Sequence, residues 1–86
     1  MDLLQLRYFC YAAETESFAK AASRFRVPPS GISQSVKRLE TELGQPLFER
    51  SANRIKLNEA GKGFYQKASE ALEILDNAKN SLQKRQ

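Results

Sequence analysis

Short polar side chains and one cation share a face of a predicted helix in the segment 27–44, VPPSGISQSVKRLETELG. The opposite face is an apolar stripe with spacings of four, three and four, formed by Ile32, Val36, Leu39 and Leu43. The polar face carries no acid and consists of Ser30, Ser33, Gln34, Lys37 and Thr41. Glutamine can pair with an adenine edge through two hydrogen bonds, and lysine can reach guanine or a phosphate. This helix therefore has the side chains to read bases in a DNA groove.

Residues for catalysis are largely missing from the chain. It has no histidine, which removes Ser-His and Cys-His nucleophile pairs and the commonest metal ligand. The single cysteine, Cys10, lies among apolar residues and is interpreted as a small buried hydrophobe in a reducing compartment. We therefore predict no enzymatic activity, no cofactor and no metal site.

Length and charge fit one small domain with a polyanionic partner. At 86 residues a single core is only marginally sufficient, and oligomerisation often adds stability. The net charge is +4, and the segment 51–67 holds four cations against one acid. Because no apolar run approaches the roughly 18–20 residues that span a bilayer and no secretion signal is recognisable, we expect a cytoplasmic protein.

The first helix is expected to start after the N-cap residue Asp2 and to reach about Thr15. Residues recurring at helical spacing predict its buried face; they are Leu3, Leu6, Phe9, Cys10 and Ala13. On its other side lie Leu4, Tyr8 and Tyr11. A helix with two apolar faces packs twice, so Leu4 and Tyr8 are expected to contact a second subunit. The alternative is that these residues are ordinary exposed ones.

A second helix, capped by Ser17 and ending near Arg26, is expected to cross the third closely. Its stripe consists of Phe18, Ala21, Ala22 and Phe25, and the small alanines allow the near approach that a helix-turn-helix requires. In the turn 26–28, Val27 is expected to be buried and Pro28 prevents the helix from continuing. The third helix then starts at Pro29 or Ser30 and ends at Gly44 in a left-handed conformation.

After Pro46 the pattern becomes extended and predicts a short hairpin. The segments 47–50 and 54–57 flank Ser51-Ala52-Asn53, with Ile55 and Leu57 inward and Arg54 and Lys56 outward. Isolated two-stranded hairpins are weak, so this wing should lean on the helices through Leu47 and Phe48.

Asn58 is the predicted cap of a last helix reaching about Leu82, with the end 83–86 expected to fray. A heptad-like seam follows its length through Phe64, Ala68, Ala71, Leu75, Ala78 and Leu82. At about 1.5 Å per residue this helix is too long for so small a body to cover its stripe. The simplest way to bury the stripe is to pack it against the same helix of a second subunit. The alternative is a helix whose stripe stays in contact with solvent.

These elements predict a mainly α fold: a winged helix-turn-helix over residues 1–58 and a linker or dimerisation helix over 59–86. Several sequence fragments, in this order, also match one family: Leu3 to Phe9 with Ala13 and Glu14, Ser17-Phe18 with Ala21-Ala22, Ile32-Ser33, Val36 to Glu40, Leu43-Gly44, Pro46 to Arg50, and Leu57 to Gly61. With them the chain resembles, along nearly its whole length, the N-terminal DNA-binding region of LysR-type transcriptional regulators.

The resemblance implies a bacterial, nucleoid-associated regulator whose helix-turn-helix spans about 18–37 and whose second helix enters the major groove of a double-stranded operator. It also implies a homodimer, or a tetramer of the full-length protein, held by the long helix. Family members continue into an effector domain that is absent here, so the chain is expected to be a fragment whose small-molecule effector would act only through that missing domain.

The expected DNA contacts fall into three groups. Base reading is assigned to Ser30, Ser33, Gln34 and Lys37. Arg38 is expected either to join them or to contact only the DNA backbone or solvent. Lys20 and Arg50 are expected to contact phosphates, and Arg54 and Lys56 are expected to approach the minor groove. For each wing cation the alternative is a merely solvated charge.

The entrance of the recognition helix departs from the family pattern. The family usually has Ser-Gln where this chain has Pro28-Pro29. Neither proline can donate the hydrogen bonds of those residues, so Pro29 is expected to make at most an apolar contact, for example with a thymine methyl group. A helical protein-interaction module, in which the charge is incidental, is the competing interpretation of the whole chain.

Overall fold

Four helices and one hairpin make up the part of the chain, residues 1–52 and 54–84, that this computed structural model describes. The order is α1 (Leu3–Thr15), α2 (Phe18–Phe25), α3 (Pro29–Leu43), β1 (Phe48–Ser51), β2 (Arg54–Leu57) and α4 (Glu59–Gln83). The predicted fold class, a mainly α winged helix-turn-helix with a long last helix, is confirmed. None of the described helices is long and apolar enough to cross a membrane.

Local hydrogen bonds set the helix boundaries. Asp2, Ser17 and Asn58 are N-caps, and the side-chain oxygen of each accepts a hydrogen bond from a backbone N–H three residues later, at 2.7 to 3.0 Å. Gly44 ends α3 with a φ of 79°, and its N–H donates to the Glu40 carbonyl at 2.8 Å. All four termini lie where the sequence predicts them.

The core is centred on Phe9, which is fully buried between the helices and the wing. Its ring lies 5.5 Å from the ring of Phe48 in β1 and 5.5 Å from that of Phe64 in α4. Ala21 and Ala22 of α2 are buried, as their predicted position at the helix crossing requires. Aromatic pairs at these distances add to the stabilisation from area burial alone.

Leu3, Val27 and Leu43 are less buried than predicted. Leu3 is 49% exposed and Leu43 is 36% exposed, because the first turn of α1 and the last turn of α3 meet at one edge of the domain, where the core ends. The Met1 amino group pairs with Glu42 at that edge, at 2.9 Å. Val27 is only half-buried. Helical periodicity therefore continues past the length that neighbouring helices cover.

The hairpin is antiparallel, with Phe48 opposite Leu57 and Ser51 opposite Arg54. Ile55 is buried and Leu57 half-buried, while the side chains of the predicted wing cations are exposed. The predicted inward and outward positions are thus confirmed, although β1 begins and ends one residue later than expected. Asn53 of the predicted turn lies outside the described residues.

The wing is fastened to α4 by a close backbone approach. The Asn58 N–H donates to the Leu47 carbonyl at 3.0 Å, and the same carbonyl faces Gly61 in the first turn of α4. A Cβ atom at Gly61 would collide with that carbonyl oxygen and lie 3.0 Å from Cδ2 of Leu57. Only glycine fits between α4 and the wing at this position.

Replacing Gly61 by alanine is therefore expected to lower the free energy of unfolding by about 1–3 kcal/mol, since the backbone of the wing must shift. The matched control is Gly63→Ala in the same helix, where a Cβ would meet no atom within 4 Å. That change should raise the free energy of unfolding by about 0.5–1 kcal/mol. Urea unfolding at one fixed protein concentration measures both; an unchanged or more stable Gly61→Ala would contradict the packing described here.

Two side-chain pairs fix α4 against α1, which runs in the opposite direction. Near the start of α4, the Tyr65 hydroxyl donates to Glu14 at 2.6 Å, which raises the pKa of Tyr65 to about 12. Further along, Arg7 donates two hydrogen bonds to Asp76, at 2.9 and 3.4 Å, and lowers the pKa of that carboxyl below its ordinary value. The direction of α4 relative to the helical body is therefore held at two separate points.

Candidate nucleic-acid interface

The exposed side of α3 carries the residues predicted to read bases. Opposite them, Ile32, Val36 and Leu39 are fully buried and anchor the helix. Ser33 is half-buried, whereas the other predicted contacts on this helix are exposed, namely Pro29, Ser30, Gln34, Lys37 and Arg38. The Ser33 hydroxyl donates a long hydrogen bond, 3.4 Å, to the Ser30 carbonyl. The structure thus brings all six residues to one helix, with the anchoring stripe opposite.

Proline chemistry sets the entrance of α3. Pro28 occupies the N-cap position in an extended conformation and makes no side-chain capping bond. Its carbonyl accepts from the Gly31 N–H at 2.9 Å, and α3 starts at Pro29 as predicted. Because φ is already restricted at both positions, the entrance is stiff although it offers no side-chain donor.

A hydrogen bond that the sequence interpretation missed ties α3 to α1. The Gln5 side-chain amide donates to the Ser35 carbonyl at 3.0 Å, from the first turn of α1 to the middle of α3. Ser35 is only 6% exposed. Its position three residues after Ile32 belongs to the buried helical pattern, so spacing could have found the burial even though serine is polar. This bond fixes the depth and rotation of α3 in the body.

Lys20 and Arg50 lie on the elements that flank α3. Lys20 is exposed in the first turn of α2. The guanidinium of Arg50 lies over the Phe18 ring, 5.1 Å from its centroid, and 3.7 Å from a carboxylate oxygen of Glu40. The other Glu40 oxygen accepts from the Leu47 N–H at 2.7 Å, so one acid joins α3, the wing and Arg50.

The two predicted wing cations differ in their surroundings. Nη2 of Arg54 donates to the Glu16 carboxylate at 2.9 Å, whereas Lys56 lies exposed on the same strand. Between the wing and the N-terminus of α2 is an open hollow of about 310 Å³, lined in part by Phe18, Arg50 and Arg54. Arg50 and Arg54 thus form a positive surface beside the N-terminus of α2, and guanidinium groups suit phosphate oxygens.

The remaining predicted contacts lie on α1 and α4. Leu4 is 52% exposed, whereas Tyr8 is half-buried with its ring 4.9 Å from that of Phe25. Phe64 and Ala68, which the heptad pattern assigns to the seam, pack against the body of their own chain. The rest of the seam is exposed and consists of Ala71, Leu75, Ala78 and Leu82.

Reactive chemistry finds little support in the described residues. Burial raises the pKa of the Cys10 thiol to about 11, which keeps it protonated and unreactive at neutral pH. Within residues 1–52 and 54–84, no group of three or more metal-ligating side chains comes together.

Comparison with known proteins gives the family. A model described as bacterial regulatory helix-turn-helix protein, lysR family, matches residues 3–62. The chain is 41% identical over 78 residues to the HTH-type transcriptional regulator BudR of Klebsiella aerogenes, covering 91% of this chain and 54% of that protein. It is 44% identical over 62 residues to the regulator IlvY of Escherichia coli K12, covering 72% of this chain and 21% of that protein. The chain thus spans about half or less of these relatives, which are transcriptional regulators and not enzymes.

Solved structures agree in fold. The BenM DNA-binding domain in complex with benA site 1 DNA superposes with a TM-score of 0.89 at 38% identity, over 99% of this chain and 98% of that one. The CbnR DNA-binding domain in complex with DNA gives 0.88 at 34% identity, over 99% and 98%. The family model, the relatives and the solved structures agree that the chain belongs to the lysR family of bacterial regulatory helix-turn-helix proteins.

Proposed function

We propose that this chain binds double-stranded DNA sequence-specifically as a homodimer and so regulates transcription. The observation that carries the proposal is the exposed polar face of α3, which is anchored from the opposite side by the fully buried Ile32, Val36 and Leu39. A helix anchored in this way can enter the major groove without losing its place in the body. The solved complexes of BenM and CbnR DNA-binding domains with DNA, which have the same fold, support the proposal.

Base reading falls mainly to the middle of α3. Gln34 can pair with adenine through two hydrogen bonds, and Lys37 can reach guanine or a phosphate. Ser30 and Ser33 are short donors that suit a close approach, while Pro29 adds an apolar contact at the helix entrance. Arg38 is exposed on the same helix and is assigned to the DNA backbone.

Phosphate contacts come from the elements around α3. Lys20 on α2 and Arg50 beside the hollow would fix the register of the protein on the duplex without reading its sequence. Arg54 and Lys56 extend this positive surface along the wing, toward the neighbouring minor groove, where the negative potential of A/T-rich DNA attracts arginine. The mid-chain position of the excess positive charge supports this arrangement.

The homodimer would use the exposed stripe of α4. With 25 residues, α4 is about 37 Å long, whereas the 13 residues of α1 cover only about 20 Å. This stripe consists of Ala71, Leu75, Ala78 and Leu82. At about 100° per residue, it lies roughly a quarter of a turn around the helix from the face that packs on the body. It alternates small and large residues, so an antiparallel pairing of two α4 helices places alanine opposite leucine along the seam. Leu4, exposed on α1, and Tyr8 would add contacts from the body.

This assignment carries the chain's wider role with it. Two recognition helices related by a dimer axis would meet a partly palindromic operator in successive major grooves. Response to a small-molecule effector and assembly into a tetramer would depend on the part of the longer relatives that this chain does not cover. A cytoplasmic site of action is part of the same proposal.

An equilibrium titration of duplex DNA tests the proposal. Binding is expected at low salt even to a random duplex. The logarithm of the binding constant should fall linearly with the logarithm of salt concentration, because phosphate contacts release counterions. Negligible binding to any duplex at low salt would contradict it and would favour a protein-interaction module instead.

A further inference from the structure

Glu16 holds a backbone conformation that glycine would adopt more easily. It lies in the turn between α1 and α2 with φ 55° and ψ 36°, in the left-handed region. Side chains with a Cβ atom are disfavoured there, and glycine is not. Such a residue persists where its side chain or its surroundings compensate for the strain.

The side chain of Glu16 reaches the wing. Its Oε1 accepts from Nη2 of Arg54 at 2.9 Å, across 38 residues of sequence. The side chain of Glu16 is 32% exposed and that of Arg54 is 69% exposed, so the acid lies deeper and the guanidinium lies outside it. Both residues line the hollow between the wing and the N-terminus of α2, together with Arg50. An acid therefore stands within the positive surface assigned to phosphate.

We propose that Glu16 is an internal competitor of DNA phosphate for Arg54 and thereby lowers the affinity of the wing for every duplex. A carboxylate and a phosphate offer the same kind of charged acceptor to a guanidinium, so DNA must displace Glu16 or share Arg54 with it. The ion pair is exposed and hence weak, which makes the competition partial and not a block. This inference rests on the proposed contact between the wing and DNA.

The competitor acts on affinity and leaves the reading of bases by α3 alone. A phosphate contact carries no direct sequence information, so the effect of Glu16 is expected on random and preferred duplexes alike; any difference between them is confined to the A/T content of the minor groove that Arg54 approaches. Reading of bases stays with α3, whose exposed face lies on a different element from this ion pair. The ion pair between Glu16 and Arg54 thus lowers the sequence-independent part of the DNA affinity.

The decisive variant is Glu16→Gln, which removes the charge and keeps the shape of the side chain. It is expected to bind both random and preferred duplexes about three- to tenfold more tightly at low salt. The slope of log affinity against log salt should steepen by about one, because one more phosphate is neutralised. Glu16→Gly, which also relieves the left-handed strain, should bind as tightly as Glu16→Gln and guards against a local folding defect.

Two controls separate competition from a general charge effect. Glu73→Gln makes the same change in net charge at an exposed position on α4 and should leave affinity nearly unchanged. In an Arg54→Ala background, Glu16→Gln should lose its effect. Weaker binding by Glu16→Gln, or equal tightening with and without Arg54, would overturn the competitor role. A failure of the unmodified chain to bind any duplex would instead contradict the DNA-binding proposal on which the inference rests.

Discussion

Leu75→Asp is expected to convert the proposed dimer into a monomer and to weaken binding to a two-half-site operator by about 100-fold or more. In the proposed antiparallel pairing, Ala78 of the second copy lies opposite Leu75, so no positive side chain faces Leu75 directly. A carboxylate between apolar side chains loses water without gaining a hydrogen bond. A monomer then loses the second half-site contact, which contributes about 10²–10⁴ in avidity.

The folded monomer itself should tolerate this change. Leu75 is 45% exposed, and surface substitutions usually alter stability by less than about 0.5 kcal/mol. Asn77→Asp introduces the same charge on the polar side of α4 and should remain dimeric. Sedimentation equilibrium and operator titration measure both variants. An unchanged oligomeric state in Leu75→Asp would show that the seam is not the dimer interface.

Gln34→Ala is expected to relax base preference at one position of each half-site. A bidentate contact between glutamine and adenine discriminates by about 1–3 kcal/mol, which corresponds to roughly 5- to 150-fold in affinity between the right and wrong base. Because Gln34 is exposed on a well-anchored helix, its loss should not disturb the fold. Titration of duplexes that carry each base at that position measures the effect.

The matched control is Gln66→Ala, the same substitution at an exposed position of α4. It should leave both affinity and base preference unchanged. If Gln34→Ala weakened binding to random and preferred duplexes by the same factor, Gln34 would be a backbone contact and base reading would have to come from other residues of α3.

Most of the fold could be predicted because its signals are local. The capping bonds of Asp2, Ser17 and Asn58 join residues only three apart, so residue type and position are enough to locate each helix start. The left-handed end of α3 at Gly44 is equally local. The face of α3 that carries the candidate contacts follows from the same kind of pattern.

Less could be predicted about the surroundings of the candidate site. The pairs Glu16–Arg54 and Arg7–Asp76 join residues 38 and 69 positions apart, and their geometry depends on how the elements pack. Sequence periodicity therefore identified Arg54 as an outward wing cation but could not show that an acid already binds it. The exposure of Leu43 has a similar origin. Periodicity shows which face of a helix is apolar, but it does not show how far along the helix neighbouring elements pack against that face.

Selection of bound sequences from a random duplex pool by the unmodified chain tests the central claim most directly. If the anchored face of α3 reads bases in a dimer, the selected duplexes should share a partly palindromic site with two half-sites about one helical turn apart, roughly 10 base pairs from centre to centre. A pool that remains random after selection would contradict sequence-specific reading by α3.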